Sequence, residues 1–192
     1  ARMLVERGLN ILGHSVRDRE VDGDFIALLK QRNVTLTPTL IRDELLFAYG
    51  DAPAWIDDPF FLKFVPPERL AVLKTKIRDE QAKHPQRALF KAGFEMNKIN
   101  LKKLSDGGVR IALGTDSGGA ADRFFIQGFS EHREMELMVQ AGLTPMQVIQ
   151  SFSKGASESL GIAKDFGTLA KGKAADLLVL EKNPLDNIAN MR

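Results

Sequence analysis

Val109-Arg110-Ile111-Ala112-Leu113-Gly114-Thr115-Asp116-Ser117-Gly118-Gly119 is the stretch that decides the fold. Val109 to Leu113 are apolar or β-branched apart from Arg110, a run short enough for a buried strand and bounded by glycine on both sides. The run ends in Gly-Thr-Asp-Ser-Gly-Gly, so a carboxylate stands where a hydrophobic strand gives way to a loop of small residues. In parallel α/β folds the C-terminal ends of strands are where ligands and catalytic groups gather. Asp116 has two readings there. It can bind a metal ion or take a proton from water, with the glycines letting a substrate approach the backbone. It can equally N-cap the helix that follows.

Upstream, the same logic finds two more strand ends. Ala1 to Arg7 reads as the last turns of a helix stopped by Gly8. Leu9-Asn10-Ile11-Leu12-Gly13 then reads as a strand that delivers His14 at its C-terminal end. Val21 to Asn33 is amphipathic at helical spacing, and Val34 to Leu40 is an alternating β-branched strand whose Pro38 ends the ladder. Strand, helix, strand within Leu9 to Leu40 is the spacing of a parallel βαβ unit.

Residues 41–64 break that rhythm with Asp-Ala-Pro, Asp-Asp-Pro and an aromatic cluster of Phe47, Tyr49, Trp55, Phe60, Phe61 and Phe64. An insertion leaving a strand end in this way forms a pocket wall or subunit contact, or it folds back on itself. A helical stretch runs from Pro66 to Asp106 with Pro85 breaking or kinking it. Downstream of Asp116, residues 130–142 read as a helix, and Thr144-Pro145 caps another that runs to Leu160. The tail changes character. Residues 166–180 read as a turn and then a strand, which places a domain boundary near residues 162–165 and predicts a β segment over 162–192.

The chain of 192 residues has room for one domain or one and a half, and its apolar content suffices for a core. It has no cysteine, which excludes disulfides, thiolate metal sites and a cysteine nucleophile. No apolar run is long enough to cross a bilayer, and the start lacks the apolar core of a signal peptide. A net charge of +2 with acids and bases interspersed gives no nucleic-acid footprint. The expectation is a soluble, cytoplasmic protein that engages neither nucleic acid nor membrane. Its start without an initiator Met, in what reads as mid-helix, resembles the middle of something longer.

Taken together, Gly13-His14 at a strand end, the Thr37-Pro38-Thr39-Leu40 strand and Gly114-Thr115-Asp116-Ser117-Gly118 resemble strands six to eight of the amidohydrolase superfamily barrel. The tail strengthens the likeness: Ala141-Gly142-Leu143-Thr144-Pro145, Gly167-Thr168-Leu169, Gly172-Lys173-Ala174-Ala175-Asp176-Leu177 and Asn183-Pro184-Leu185 are similar to that superfamily's return to a small β-sandwich. The nearest branch is the imidazolonepropionase-like and Xaa-Pro dipeptidase (prolidase)-like amidohydrolases. The resemblance implies an α/β fold: residues 1–161 as the C-terminal part of a (β/α)8 TIM-type barrel, with 162–192 starting the sandwich. It implies His14 as a metal ligand and Asp116 as both ligand and proton-shuttling base, serving one or two divalent ions such as Zn2+. The implied substrate is a dipeptide or cyclic amide, cleaved by metal-activated water.

The chain departs from the superfamily in having only His14, His84 and His132, and no His-x-His pair. On this resemblance it is active only when completed by a missing N-terminal barrel half, or by a partner chain in a homo-oligomer. The alternative is a catalytically inactive half-barrel that associates with another chain, because open sheet edges are a liability. Candidate substrate contacts are Thr39, Ser117, Arg17 and His132. Arg17 and Arg19 suit bidentate pairing with a substrate carboxylate or a plain solvated loop. His132, on a helix, either orients its neighbours or touches substrate. His84, Lys171 and Lys173 read as surface.

Overall fold

Three parallel strands form the centre of the computed structural model, which describes residues 1–118 and 124–192. Gly119, the end of the deciding stretch, lies outside the described residues. Helix α1 (Arg2–Glu6) leads to β1 (Ile11–Leu12), α2 (Gly23–Gln31) and β2 (Thr35–Leu36). Asp22 caps α2 by accepting the Phe25 N–H at 2.7 Å, and Phe25 and Leu29 turn inward from it.

Beyond β2 come α3 (Leu40–Glu44), two 3-10 turns (Ala48–Asp51, Ala54–Asp57) and α4 (Pro59–Leu62). A long helical arm follows as α5 (Pro67–Val72), a π turn (Leu73–Ile77) and α6 (Arg78–Ala82). It stops around Pro85 and resumes as α7 (Arg87–Asp106), so the proline breaks the arm rather than bending it. Next are β3 (Arg110–Ile111), α8 (Phe129–Gln140), α9 (Pro145–Gln150), a π turn (Ser151–Gly155) and α10 (Ala156–Ser159).

The strands pair in sequence order, Ile11 beside Thr35 beside Arg110 and Leu12 beside Leu36 beside Ile111. Ladder bonds of 2.9 Å run from Thr37 N–H to Leu12 O and from Ala112 N–H to Leu36 O. All three C-terminal strand ends therefore open on one side of the sheet. The helix pair around Ser151 closes on β3, where Leu113 N–H reaches Ser151 O at 3.2 Å. Gly155 makes that closeness possible, since a Cβ there would sit 2.2 Å from Ile111 O.

The second predicted strand ends sooner than its β-branched pattern suggests. Pro38 has no N–H to give to a ladder, and Thr39 takes a left-handed φ of 51°, so the chain turns into α3 at Leu40. The aromatic insertion folds back on the body of the protein. Trp55 packs against Phe129 of α8 at 5.0 Å between ring centres and against Phe61 at 5.2 Å, while Tyr49 hydroxyl donates to Phe124 O at 2.7 Å. The same segment walls a cleft of about 570 Å3 between Trp55, Glu44 and Arg133.

The tail is a correction. No strand forms over 174–180 among the described residues, and Leu177, Leu178 and Val179 are 59%, 70% and 91% exposed. A run of β-formers states what a segment does beside a partner strand, and no described segment lies alongside to pair with it. The β segment expected over 162–192 is thus turns and a closing 3-10 helix, Ile188–Met191.

Candidate active site

Three loops at the C-terminal strand ends build the site. The loop after β1 carries His14 and Arg17, the segment after β2 carries Thr39, Arg42 and Asp43, and the loop after β3 carries Thr115, Asp116 and Ser117. Gly114 lets the last two approach, because a Cβ on it would lie 2.5 Å from Thr37 Cγ2. Asp116 itself adopts a left-handed φ of 63°, a conformation that asparagine and aspartate tolerate better than most residues. Residues 119–123, where a helix capped by Asp116 would run, lie outside the described residues.

His14 and Asp116 meet. His14 Nδ1 lies 2.8 Å from Thr39 Oγ1, and its Nε2 lies 3.8 Å from Asp116 Oδ2. With Nδ1–H donated to Thr39, Nε2 presents its lone pair toward the carboxylate. The Nε2–Oδ2 gap is too long for a hydrogen bond. It is within about half an ångström of the separation, about 3.4 Å, of two ligands on one tetrahedral zinc ion. Burial, and then the Arg42 guanidinium, hold the His14 imidazolium below its ordinary pKa against the opposing pull of Asp116. The neutral imidazole that results is the form that ligates a metal. The pair fits a divalent cation, and it supplies two donors. Among the described residues no cluster of three or more His, Cys, Asp or Glu side chains is placed to hold a metal.

Arg42 binds both carboxylates of the site. Its Nε is 3.0 Å from Asp116 Oδ2 and its Nη1 is 3.3 Å from Asp43 Oδ1. Asp43, whose side chain is only 6% exposed, also pairs with Arg17 and accepts from Asn97 Nδ2 at 3.1 Å.

Two helices behind the strands fix these loops. From α7, Asn97 donates to Pro38 O at 3.1 Å, and Asn100 accepts the Val21 N–H at 2.9 Å while donating to Val16 O at 2.7 Å and Arg19 O at 2.8 Å. From α8, Glu131 accepts from Ser117 Oγ at 3.1 Å and from Gly128 N–H at 2.8 Å, and Ser117 is hydrogen-bonded to Thr115 at 2.9 Å. Three positions on, the fully buried Glu134 accepts Leu40 N–H at 2.9 Å and Ile41 N–H at 2.6 Å. Burial pushes its carboxyl up to about 8, against the lowering effect of those two donors.

Of the residues singled out in the sequence, His14, Asp116, Thr39, Arg17 and Ser117 thus belong to one constellation. Thr39 and Ser117 are engaged in orienting His14 and the Asp116 loop, and Arg17 is engaged with Asp43. His132 lies elsewhere on α8, its ring edge-on to Phe60 at 4.9 Å, with burial and then Arg192 lowering its pKa. His84 stacks near Phe90 and accepts from Gln86 N–H at 3.2 Å.

A histidine and an aspartate thus converge at the C-terminal strand ends of a parallel α/β sheet, where ligands gather in folds of this class. The model of the amidohydrolase family matches residues 13–192, and the chain belongs to that family. No curated protein matches it. Among solved structures, it superposes on a Xaa-Pro dipeptidase with methionine bound in its active site, with a TM-score of 0.65 and 21% identity over 99% of this chain and 38% of that one. Molinate hydrolase gives a TM-score of 0.63 and 20% identity over 99% of this chain and 37% of the other. The ochratoxinase of A. niger gives 0.62 and 20% over 97% and 34%. At these identities the likeness speaks for the fold. The chain spans a little over a third of the length of each.

Proposed function

We propose that the intact protein is a divalent-metal-dependent hydrolase of amide bonds and that this chain supplies its His14 and Asp116. The reading assigns β1, β2 and β3 as the last three strands of an eight-stranded barrel. Residues 162–192 then begin a second, composite unit. The observation that carries it is the approach of His14 Nε2 to Asp116 Oδ2 at 3.8 Å, with the other ring nitrogen held by Thr39.

His14 and Asp116 would hold the cation, with Zn2+ the best match to an imidazole and a carboxylate. When bound, such an ion lowers the pKa of a water and polarises the scissile carbonyl. Asp116 accepts the proton of the attacking water through its second carboxylate oxygen and returns it to the departing amine nitrogen. Thr39 keeps the imidazole in the tautomer that leaves Nε2 free. A catalytic zinc site uses about three protein ligands, so further donors come from an upstream part of the protein or from a second subunit. The substrate class is a small amide, a dipeptide or a cyclic amide. Methionine in the active site of the similar Xaa-Pro dipeptidase supports an amino-acid-sized pocket.

The test is metal content and dipeptide hydrolysis of the intact protein and of Asp116→Asn. Stoichiometric Zn2+ that drops in the variant, with hydrolysis lost, supports the reading. A wild-type protein that takes up no divalent metal sinks it and favours a non-catalytic half-barrel.

A further inference from the structure

Two threonines of this chain stand at helix N-caps and behave differently. Thr144, before α9, has an extended φ of −71°, and its hydroxyl accepts the Gln147 N–H at 3.2 Å, as a threonine in that place ordinarily does. Thr39, before α3, has a left-handed φ of 51°, and its side chain makes no capping bond. Among the described residues it is the one β-branched side chain in the left-handed region, a strained arrangement that persists only where the surroundings enforce it.

The surroundings here are Glu134. Its carboxylate, fully buried on α8, accepts Leu40 N–H at 2.9 Å and Ile41 N–H at 2.6 Å, the first two N–H groups of α3. Ile41 N–H is one that an N-cap hydroxyl otherwise takes. With it already satisfied from α8, the Thr39 hydroxyl is released from its own helix. It lies instead 2.8 Å from His14 Nδ1, and Thr39 is only 3% exposed, so water does not compete for that contact. A buried carboxylate is an unfavourable way to cap a helix whose own N-cap residue is a threonine. What the arrangement gains is a hydroxyl for the imidazole.

We propose that Glu134 is the positioning residue of His14: it caps α3 in place of Thr39 and so turns the Thr39 hydroxyl over to the imidazole, which is held with Nδ1 protonated and Nε2 free. The inference rests on the hydrolase reading for the use made of Nε2, while the arrangement itself involves no metal.

The experiment is 15N NMR of the metal-free intact protein, labelled at the histidine ring nitrogens, at a pH where His14 is neutral. The His14 signals are assigned by their loss in His14→Asn. The ratio of the Nδ1–H to the Nε2–H tautomer is read in wild type, Glu134→Gln, Thr39→Ala, the double variant and Thr39→Ser. Wild type shows mainly the Nδ1–H form. Thr39→Ala moves the ratio toward Nε2–H by about 2- to 10-fold, the worth of one hydrogen bond, and Thr39→Ser, which keeps the hydroxyl, stays near wild type. Glu134→Gln, which keeps one acceptor oxygen, moves the ratio the same way by a smaller factor. In the Thr39→Ala background it moves nothing further, because its effect runs through the hydroxyl.

A Glu134→Gln effect of equal size in both backgrounds would make Glu134 a general support of the fold, and overturns the proposal. So does a ratio that Glu134→Gln leaves unchanged, or a wild type that is mainly Nε2–H. Absence of Zn2+ uptake by wild type is instead the failure of the hydrolase reading, and the tautomer ratios still decide this one.

Discussion

Replacing Glu134 by glutamine should destabilise the protein at pH 4.5 by about 1–3 kcal/mol, a loss that shrinks as pH rises and reverses toward pH 8. Glu134 is fully buried, and among the described residues no cationic side chain is hydrogen-bonded to it; its described partners are the Leu40 and Ile41 N–H groups. Its carboxyl is pushed from 4.5 up to about 8 in the folded protein. Between those values the folded state binds a proton that the unfolded state has released, so stability falls as pH rises through that window. A shift of this size is worth about 5 kcal/mol at its upper end, a ceiling on the effect. Below pH 4.5 the carboxyl is neutral in both states, and glutamine keeps one acceptor oxygen but turns its NH2 toward the second N–H, which costs about 1–3 kcal/mol at all pH values. The measurement is the urea midpoint of both proteins from pH 4.5 to 8.5, read as their difference so that other titrating groups cancel. A difference growing with pH in favour of glutamine is the expected result. One that is flat, or that grows in favour of wild type, would mean the two N–H donors outweigh burial and hold the carboxylate ionised, and the argument fails.

Arg133→Met should cost about 3–5 kcal/mol in a denaturant titration, since it strands the carboxylate of Glu44, which Arg133 grips at 2.5 and 3.0 Å within a nearly buried pair. Adding Glu44→Gln to that variant should recover part of the loss. Gly155→Ala should lower stability by about 2–3 kcal/mol, because its methyl group meets Ile111 O at 2.2 Å and only a shift of helix from strand relieves it. A thermal midpoint equal to wild type would show that the helix pair around Ser151 is not pressed against β3.

The sequence makes the strand ends readable because each is marked locally: an apolar run, then Gly13-His14, Pro38-Thr39 or Gly114-Thr115-Asp116. That is enough to place His14 and Asp116 on one side of a parallel sheet. Arg42, Asp43, Asn97, Asn100, Glu131 and Glu134 were not legible, since each acts across the chain. Asn97 meets Pro38, and Glu134 meets Leu40. Glu134 left a faint trace: with Ser130, Leu137 and Met138 it falls at i, i+4, i+7 and i+8 along α8, which places a carboxylate on the buried face of the helix. The tail misled for the opposite reason. Its β-forming residues are a local signal, but a strand needs a partner that no stretch of this chain provides among the described residues.

The two glutamates of α8 explain why a costly buried carboxylate is kept. Glu131 holds Ser117, one residue past Asp116, and Glu134 holds the backbone just after Thr39, whose hydroxyl orients His14. They stand three residues apart on one rigid helix and so face the same side of it. One helix thus ties the backbone beside Thr39 to the loop of Asp116, alongside the hold that Asn97 of α7 has on Pro38 O. Holding two side chains within about half an ångström needs support of this kind from beyond the pair itself. An apolar residue in place of Glu134 would spare the burial of a charge, but it would leave two N–H groups at the start of α3 unpaired at about 1–3 kcal/mol each. It would also free Thr39 to follow its own left-handed turn away from the imidazole. The position of Glu134 is set by the geometry of the site, and the stability of the fold bears the cost.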